Sequence, residues 1–281
     1  MSEKPREMTD DEIEDLVNES RIEGYFLHMD WPQTAPGAPG CWFGGDPNLP
    51  PDIEWPSYGE FINDEDEAFE PMLFLAQVNC AELPVIEHRP EIPQSGTLFF
   101  FHDVSFYSGD DAHKGTVIYV DEDVSNYPSR VPPKIGKLAH YLAEYFQLYD
   151  EDRLDEGRLR LDRWPMLPQL HYVWAHRRMN LDAKTQHRYT EKWSELTYYE
   201  IEDVKAFSKQ PISRPFSKHR LFCDKSTTTK IDDPDWIQLA YFSAKSIRAN
   251  FGTNDVGLSF DVRKRDACNR DFGEVLIGRG D

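Results

Sequence analysis

The sequence predicts an α+β protein rich in β structure: two similar, intertwined halves of mostly antiparallel strands with a few peripheral helices. Short apolar runs bounded by Pro, Gly and acidic residues recur along the chain, as buried strands do. A Leu-Ala pair followed by a Leu-x-Phe run occurs twice, at Leu75-Ala76 with Leu98 and Phe100, and at Leu239-Ala240 with Leu258 and Phe260. A strand, connection, strand unit written twice marks a repeated half. Only brief stretches carry the three-and-four apolar spacing of a helix.

Thr9 and Glu12 have the spacing by which two side chains satisfy orphan N–H groups at a helix start, and Ile13, Leu16 and Val17 then share one face. This predicts an amphipathic helix over residues 10–22, closed by Gly24. Residues 1–24 are thus expected to form an acidic N-terminal helix ahead of a single domain over 25–281. From Asp30 to Ser57 the chain turns Pro- and Gly-rich, and eight prolines fall from Pro32 to Pro71. None can supply a ladder N–H or occupy a helix interior, so an irregular loop or linker is expected. Trp31, Trp42, Phe43 and Trp55 favour an ordered loop, because apolar area left in water costs about 25 cal/mol per Å².

Strands are expected at Met72–Val78, Thr97–His102, Thr116–Val120, Asp235–Ser243 and Val256–Val262. Helical spacing predicts a helix over 134–149 and another over 192–207, where Thr197-Tyr198-Tyr199 suits a strand equally well. The two halves are placed at about 40–130 and 210–278.

The 281 residues carry 31 Lys and Arg against 51 Asp and Glu, a formal charge of −20. That balance excludes a bare nucleic-acid binder, whose affinity comes from counterions displaced by Lys and Arg. Aromatics at 13% exclude global disorder. Cys41, Cys80, Cys223 and Cys268 show neither CxxC nor zinc-finger spacing. The opening MSEKPREMTDDEIEDL lacks a signal peptide's basic and apolar regions, and no run of about 18 apolar residues occurs. A cytoplasmic protein with no membrane partner is expected, of unstated oligomeric state.

Residues 1–90 hold 21 acidic and four basic side chains, while 151–281 is close to balanced. The acid concentrates between Asp10 and Glu19 and at Asp64, Glu65, Asp66, Glu67 and Glu70. Solvated faces explain such runs. A docking face for a basic protein partner uses the same residues, since its field steers encounter.

The standard zinc, serine-hydrolase and nucleotide signatures are missing. His171 and His176 are five apart, which does not suit helical chelation. His102-Asp103 could meet Asp110, Asp111 and His113 around a metal, although exposed loop residues are the commoner arrangement. Cys41 has only acidic neighbours downstream, so nothing activates its thiol. Trp42, Phe43, Gly44, Gly45, Trp55, Gln77 and Asn79 combine aromatic walls with polar groups, as a ligand groove does. The same aromatics could instead pin the Pro-rich loop onto the sheet. No catalytic residue, metal or cofactor is assigned.

The blocks Gly44-Gly45-x-Pro47-x-Leu49-Pro50 to Trp55-Pro56, Phe74 to Asn79, and Gly96-x-Leu98-x-Phe100-Phe101 resemble the opening of the YwqG-like family, bacterial proteins of unknown function. His219-Arg220-Leu221-Phe222, Trp236 to Ala240 and Gly257-Leu258-x-Phe260 are similar to its later blocks, so the resemblance spans most of 40–278. The chain departs from the family where Asn79 replaces an Asp, Cys223 replaces a Gly, and Phe251 to Gly257 stands for a W-G-D-x-G turn. The resemblance implies a β-rich fold of two similar halves and no established reaction. Some members resemble proteins found beside toxin systems.

The leading expectation is therefore a non-catalytic interaction protein whose acidic surface binds a basic partner, of immunity or antitoxin type. The alternative is a small-ligand binder or enzyme using the groove near Trp42, Trp55 and Gln77.

Overall fold

The computed structural model describes residues 8–19, 21–29, 40–63, 66–103, 115–134, 154–155, 158–159, 161, 163–174, 182–192, 220–223, 235–242 and 257–280. Helix α1 spans Asp10–Glu19, and strands β1 to β7 follow at Arg21–Met29, Trp42–Phe43, Ser57–Asn63, Asp66–Pro71, Leu73–Asn79, Thr97–His102 and Gly115–Val120. The short strands β8 (Leu154–Asp155) and β9 (Arg158–Leu159) precede the long β10, Trp164–Trp174. Helix α2 covers residues 183–192. Strands β11 (Arg220–Cys223), β12 (Trp236–Phe242) and β13 (Gly257–Arg263) lead into helix α3 (Lys264–Cys268) and β14 (Leu276–Gly280).

Ten strands form one sheet in the order β14-β13-β12-β11-β1-β10-β2-β5-β6-β7, and each recorded pairing is antiparallel. This order shows how the halves interlock. The lead strand of the first half, β1, pairs with β11 of the second, and the lead strand of the second, β10, pairs with β2 of the first. The two lead strands then pair with each other from Arg21↔Trp174 to Met29↔Met166.

The registers superpose the halves residue by residue. Phe43 faces Ala76 and Ala76 faces Phe100; Leu221 faces Ala240 and Ala240 faces Phe260. The ladder slips between Phe74 and Ala76 in one half and between Gln238 and Ala240 in the other. Each bulge turns two successive residues, the repeated Leu-Ala pair, toward the core.

The core is where the halves meet. Phe100 and Phe260, equivalent residues, pack edge to face at 5.4 Å, and Phe242 contacts both at 5.3 and 5.8 Å. Phe43 joins them at 5.7 Å from Phe242. Edge-on contacts of this kind suit the ring quadrupole and fix one packing arrangement. The sheet curls until its terminal strands touch: a Cβ on Gly115 of β7 would lie 2.5 Å from Ile277 Cδ1 of β14. The first half is clamped a second time by Arg270, whose Nη1 donates to Pro90 O at 3.1 Å, Glu91 O at 3.3 Å and Ala267 O at 3.0 Å.

The N-terminal helix begins with the expected box, Thr9 N donating to Glu12 Oε2 at 2.8 Å and Glu12 N to Thr9 Oγ1 at 3.3 Å. Its apolar face, Ile13 and Val17, packs on Tyr189 of α2. Arg188 bonds Asp10, holding that carboxyl below its usual range, and Lys192 sits 3.3 Å from Glu14. The expected end of the helix is corrected: α1 stops at Glu19, and Gly24 lies inside β1. A Cβ there would come within 3.1 Å of Cys223 Sγ and 3.2 Å of two β11 carbonyls, so this glycine serves a close strand contact and not a helix stop.

The five expected strands appear as β5, β6, β7, β12 and β13, within a residue at most ends. The helix expected over 134–149 lies almost entirely outside the described residues, as does that over 192–207. Among the described residues no helix is long and apolar enough to cross a membrane.

Phe260 touches aromatics of both halves, so Phe260→Ala is expected to cost about 3–5 kcal/mol. In a urea titration the whole protein should unfold in one earlier transition with unchanged slope.

Candidate functional site

The expected groove residues do come together, and the chain itself fills the space between them. Trp42 and Phe43 form β2 against Gln77 and Ala76. Trp42, Phe43, Trp55 and Gln77 are buried. Trp55 stacks edge-on against Phe101 at 5.3 Å and donates its Nε1–H to Met72 O at 2.8 Å. Gln77 accepts from Asn48 N at 2.9 Å, and its amide nitrogen reaches Gly40 O at 3.5 Å. Asn79 accepts from Ala81 N at 3.1 Å, starting the 3₁₀ turn Cys80–Glu82. Gly44 and Gly45 take φ of 65° and 69°, and Gly44 N donates to Leu75 O at 2.7 Å. Arg163 lies over the Trp42 ring at 3.9 Å. Trp55, Gln77 and Gly44 thus hold the Pro-rich loop against the sheet.

The acidic run falls on a two-stranded ribbon, β3 paired with β4. Asp66 and Glu67 lie on β4, while Asp64 and Glu65, between the strands, lie outside the described residues. Glu70 is 1% exposed, so its carboxylate is turned away from any docking partner. The first half also presents Asp52, Glu54, Glu87, Asp121, Glu122 and Asp123 at the surface.

The Cys41 and Cys80 thiols are poor nucleophiles. Burial pushes Cys41 well above the usual thiol range, with Glu82 nearby adding to the shift, and pushes Cys80 up to about 12. His102 Nε2 lies 3.4 Å from Asp103 Oδ1, and both are buried. Asp110, Asp111 and His113 lie outside the described residues.

Sequence reasoning missed a buried polar set on the strands of the second half, on the face opposite the shared core. On β13, Leu258, Phe260 and Val262 enter the core, which leaves Ser259, Asp261 and Arg263 on the opposite face. On β12, Ile237, Leu239, Ala240 and Phe242 enter the core, leaving Trp236, Gln238 and Tyr241. Cross-strand pairing sets these side chains beside one another: Arg220 with Tyr241, Tyr241 with Ser259, Cys223 with Gln238, Gln238 with Asp261 and Trp236 with Arg263. Ser259 Oγ lies 3.2 Å from Asp261 Oδ2. Arg220 lies over the Tyr241 ring at 4.8 Å and Arg263 over the Trp236 ring at 5.0 Å.

At the centre Gln238 is 0% exposed, and neither its Nε2 nor its Oε1 has a hydrogen-bond partner. An unmade buried amide donor or acceptor costs about 1–3 kcal/mol. Arg220 Nε and Arg263 Nε are likewise buried without acceptors. Beside them Phe222 has φ of 50°, where the first half has Gly44. A bulky residue in this region carries backbone strain. Its side chain and that of Leu221 both enter the core, leaving Arg220 and Cys223 off it.

The halves therefore differ where they should match. The registers set Gln238, Ser259 and Asp261 in the places of Phe74, Phe99 and Phe101. On the first half the apolar cluster includes these residues and Trp55 above them, whereas on the second half the same positions are polar. The signal was present in the sequence as Gln238 inside WIQLAYF and as Ser259, Asp261 and Arg263 at alternate positions of GLSFDVR.

A family described as a domain of unknown function (DUF1963) matches residues 42–278. The match takes in β10 and leaves β1 outside. No curated protein matches the chain.

Cys41, Cys80 and Cys223 are buried and Cys268 is exposed. Titration with an aromatic disulfide reagent at about pH 8, below the usual thiol pKa, is expected to label Cys268 at once, with the other three reacting only after denaturant is added.

Proposed function

We propose that this chain, which belongs to the DUF1963 family of domains of unknown function, acts by binding and engages a basic protein partner through the acidic surface of its first half. The supporting observation is the cluster at Tyr127. Its hydroxyl donates to Glu122 Oε1 at 3.0 Å and is held above its usual pKa, by Glu122 first and also by Asp52. Asp52, Glu54, Asp121 and Asp123 add exposed carboxylates to the same half. The β3–β4 ribbon adds Asp66 and Glu67 on β4, with Tyr58 and Glu70 buried toward its other end. Glu70 is accordingly removed from the docking set.

Within the family we place the chain among YwqG-like proteins, on the blocks around Gly44-Gly45, Leu75-Ala76 and Gly257-Leu258. An immunity-type role, neutralising a basic toxin, fits the charge and the resemblance of some YwqG-like proteins to ones found beside toxin systems. Binding also suits the chemistry better than catalysis, since the groove residues are committed to the loop and Cys41 and Cys80 are held as thiols by burial.

The partner should be retained by the immobilised protein at about 0.1 M salt and released near 1 M, where the screening length falls from roughly 10 to 3 Å. Reversing Asp52 and Glu122 together to Lys should slow association by about tenfold or more. Retention that is indifferent to salt and to both reversals would count against the reading.

A further inference from the structure

We infer that helix α1 is a releasable strap, held across α2 by matched stripes of opposite charge, and that its opening uncovers the cationic side chains beneath it. The inference stands on the contacts between these two helices and is independent of the partner surface proposed above.

Each stripe opposes the helix that carries it. In α1 every pair of charged residues four apart, Asp10 with Glu14, Asp11 with Asp15 and Asp15 with Glu19, is acid against acid. Like charges at this spacing destabilise a helix. No basic residue in the last turn offsets the repulsion, and a helix of ten residues is too short to persist alone in water. On α2, Lys184, Arg188 and Lys192 form a stripe of the opposite sign at the same spacing.

Docking removes the conflict. Arg188 bonds Asp10 and also donates to Met8 O at 2.7 Å, while Lys192 lies 3.3 Å from Glu14. The two ties advance four residues along both helices, so the helices run parallel with their stripes in register. Ile13 and Val17 close on Tyr189 alongside. The segment is therefore helical while α2 supplies its counter-charges, and its folding and docking are one event.

The hold is of a kind that lets go. Ile13, Val17 and Tyr189 form a cluster apart from the main core. The acids of the ion pairs face water, Asp10 being 92% exposed and Glu14 55%. Exposed pairs weaken as salt screens them. The family match, 42–278, takes in α2 and leaves α1 outside, so the strap is an addition to the matched domain.

Opening inverts the charge that this face presents. Closed, it shows the exposed Asp11, Asp15 and Glu19. Open, Arg188 and Lys192, only 24% and 32% exposed under the strap, join the exposed Lys184.

The test uses the full chain and two readouts. Amide exchange of residues 10–19, followed by mass spectrometry with β12 as internal reference, reports the strap, and phenylglyoxal labelling of Arg188 reports what the strap covers. Raising NaCl from about 0.1 to 1 M shortens the screening length from roughly 10 to 3 Å and should speed both by about tenfold relative to β12. Val17→Asp removes an apolar contact while keeping the residues of both ion pairs, and it should raise both rates by about tenfold or more at low salt. Asp10→Lys with Glu14→Lys should speed α1 exchange likewise, and joining Arg188→Glu and Lys192→Glu to them should restore slow exchange, a rescue that local damage would not give. If a variant fails to fold, the salt series on the wild type decides. The inference is overturned if α1 exchanges only at the global limit shared with β12, or if its exchange is indifferent to salt.

Discussion

The ladder between β1 and β10 is the constraint on which the rest of the molecule depends. It joins the two lead strands along their length, from Arg21↔Trp174 to Met29↔Met166. Because β1 also pairs with β11 and β10 with β2, each lead strand is a member of the other half's sheet. Neither half can complete its hydrogen bonding or cover Phe43, Phe100, Phe242 and Phe260 by itself. An unpaired strand edge and an open aromatic cluster are both costly in water. The exchange of lead strands resolves the two together, and the contact of Gly115 with Ile277 then brings the sheet's outer strands against each other.

A scaffold made of two matching halves lets one half change without unmaking the fold. The first half uses its outer face for packing, with Trp55 and Phe101 in edge-on contact and Gln77 tying down the loop at Asn48. The second half keeps the same strand pairings and the same bulge but places Gln238, Ser259 and Asp261 at the corresponding positions. Buried polar groups lower stability unless something satisfies them. The shared core bears that cost, since it is formed from the inward faces of both halves and is untouched by what the outer face carries. Acid thus lies on the surface of the first half and buried polar atoms on the strands of the second.

The strands of the core were legible because each is a short apolar run with clear boundaries: Thr97–His102 coincides with β6, and the repeated Leu-Ala pair marks both bulges. The lead strands were not. β1 contains Gly24, which reads locally as a helix stop, and β10 contains Pro165 and Pro168, which argue against a central strand. Their places are set by pairing partners more than 100 residues away, which no local pattern reports. The β3–β4 ribbon was hidden by its charge, since Asp64 to Glu67 reads as a wet loop. The groove residues were found as a cluster that either lines a groove or pins the loop, and only coordinates show Gln77 bonded to Asn48 and Trp55 to Met72. Gln238 was overlooked for the opposite reason: one Gln inside WIQLAYF looks like an ordinary strand until its neighbours across the sheet are known.

The central claim is that the halves are one cooperative body locked by exchanged strands. Native-state hydrogen exchange tests it most directly, by comparing the slowest amides of β6 in the first half with those of β13 in the second. The account predicts that both sets open with the same free energy and respond to denaturant with the same slope, because neither half is complete alone. Exchange of β13 through a smaller opening, while β6 stays protected to the global limit, would contradict it.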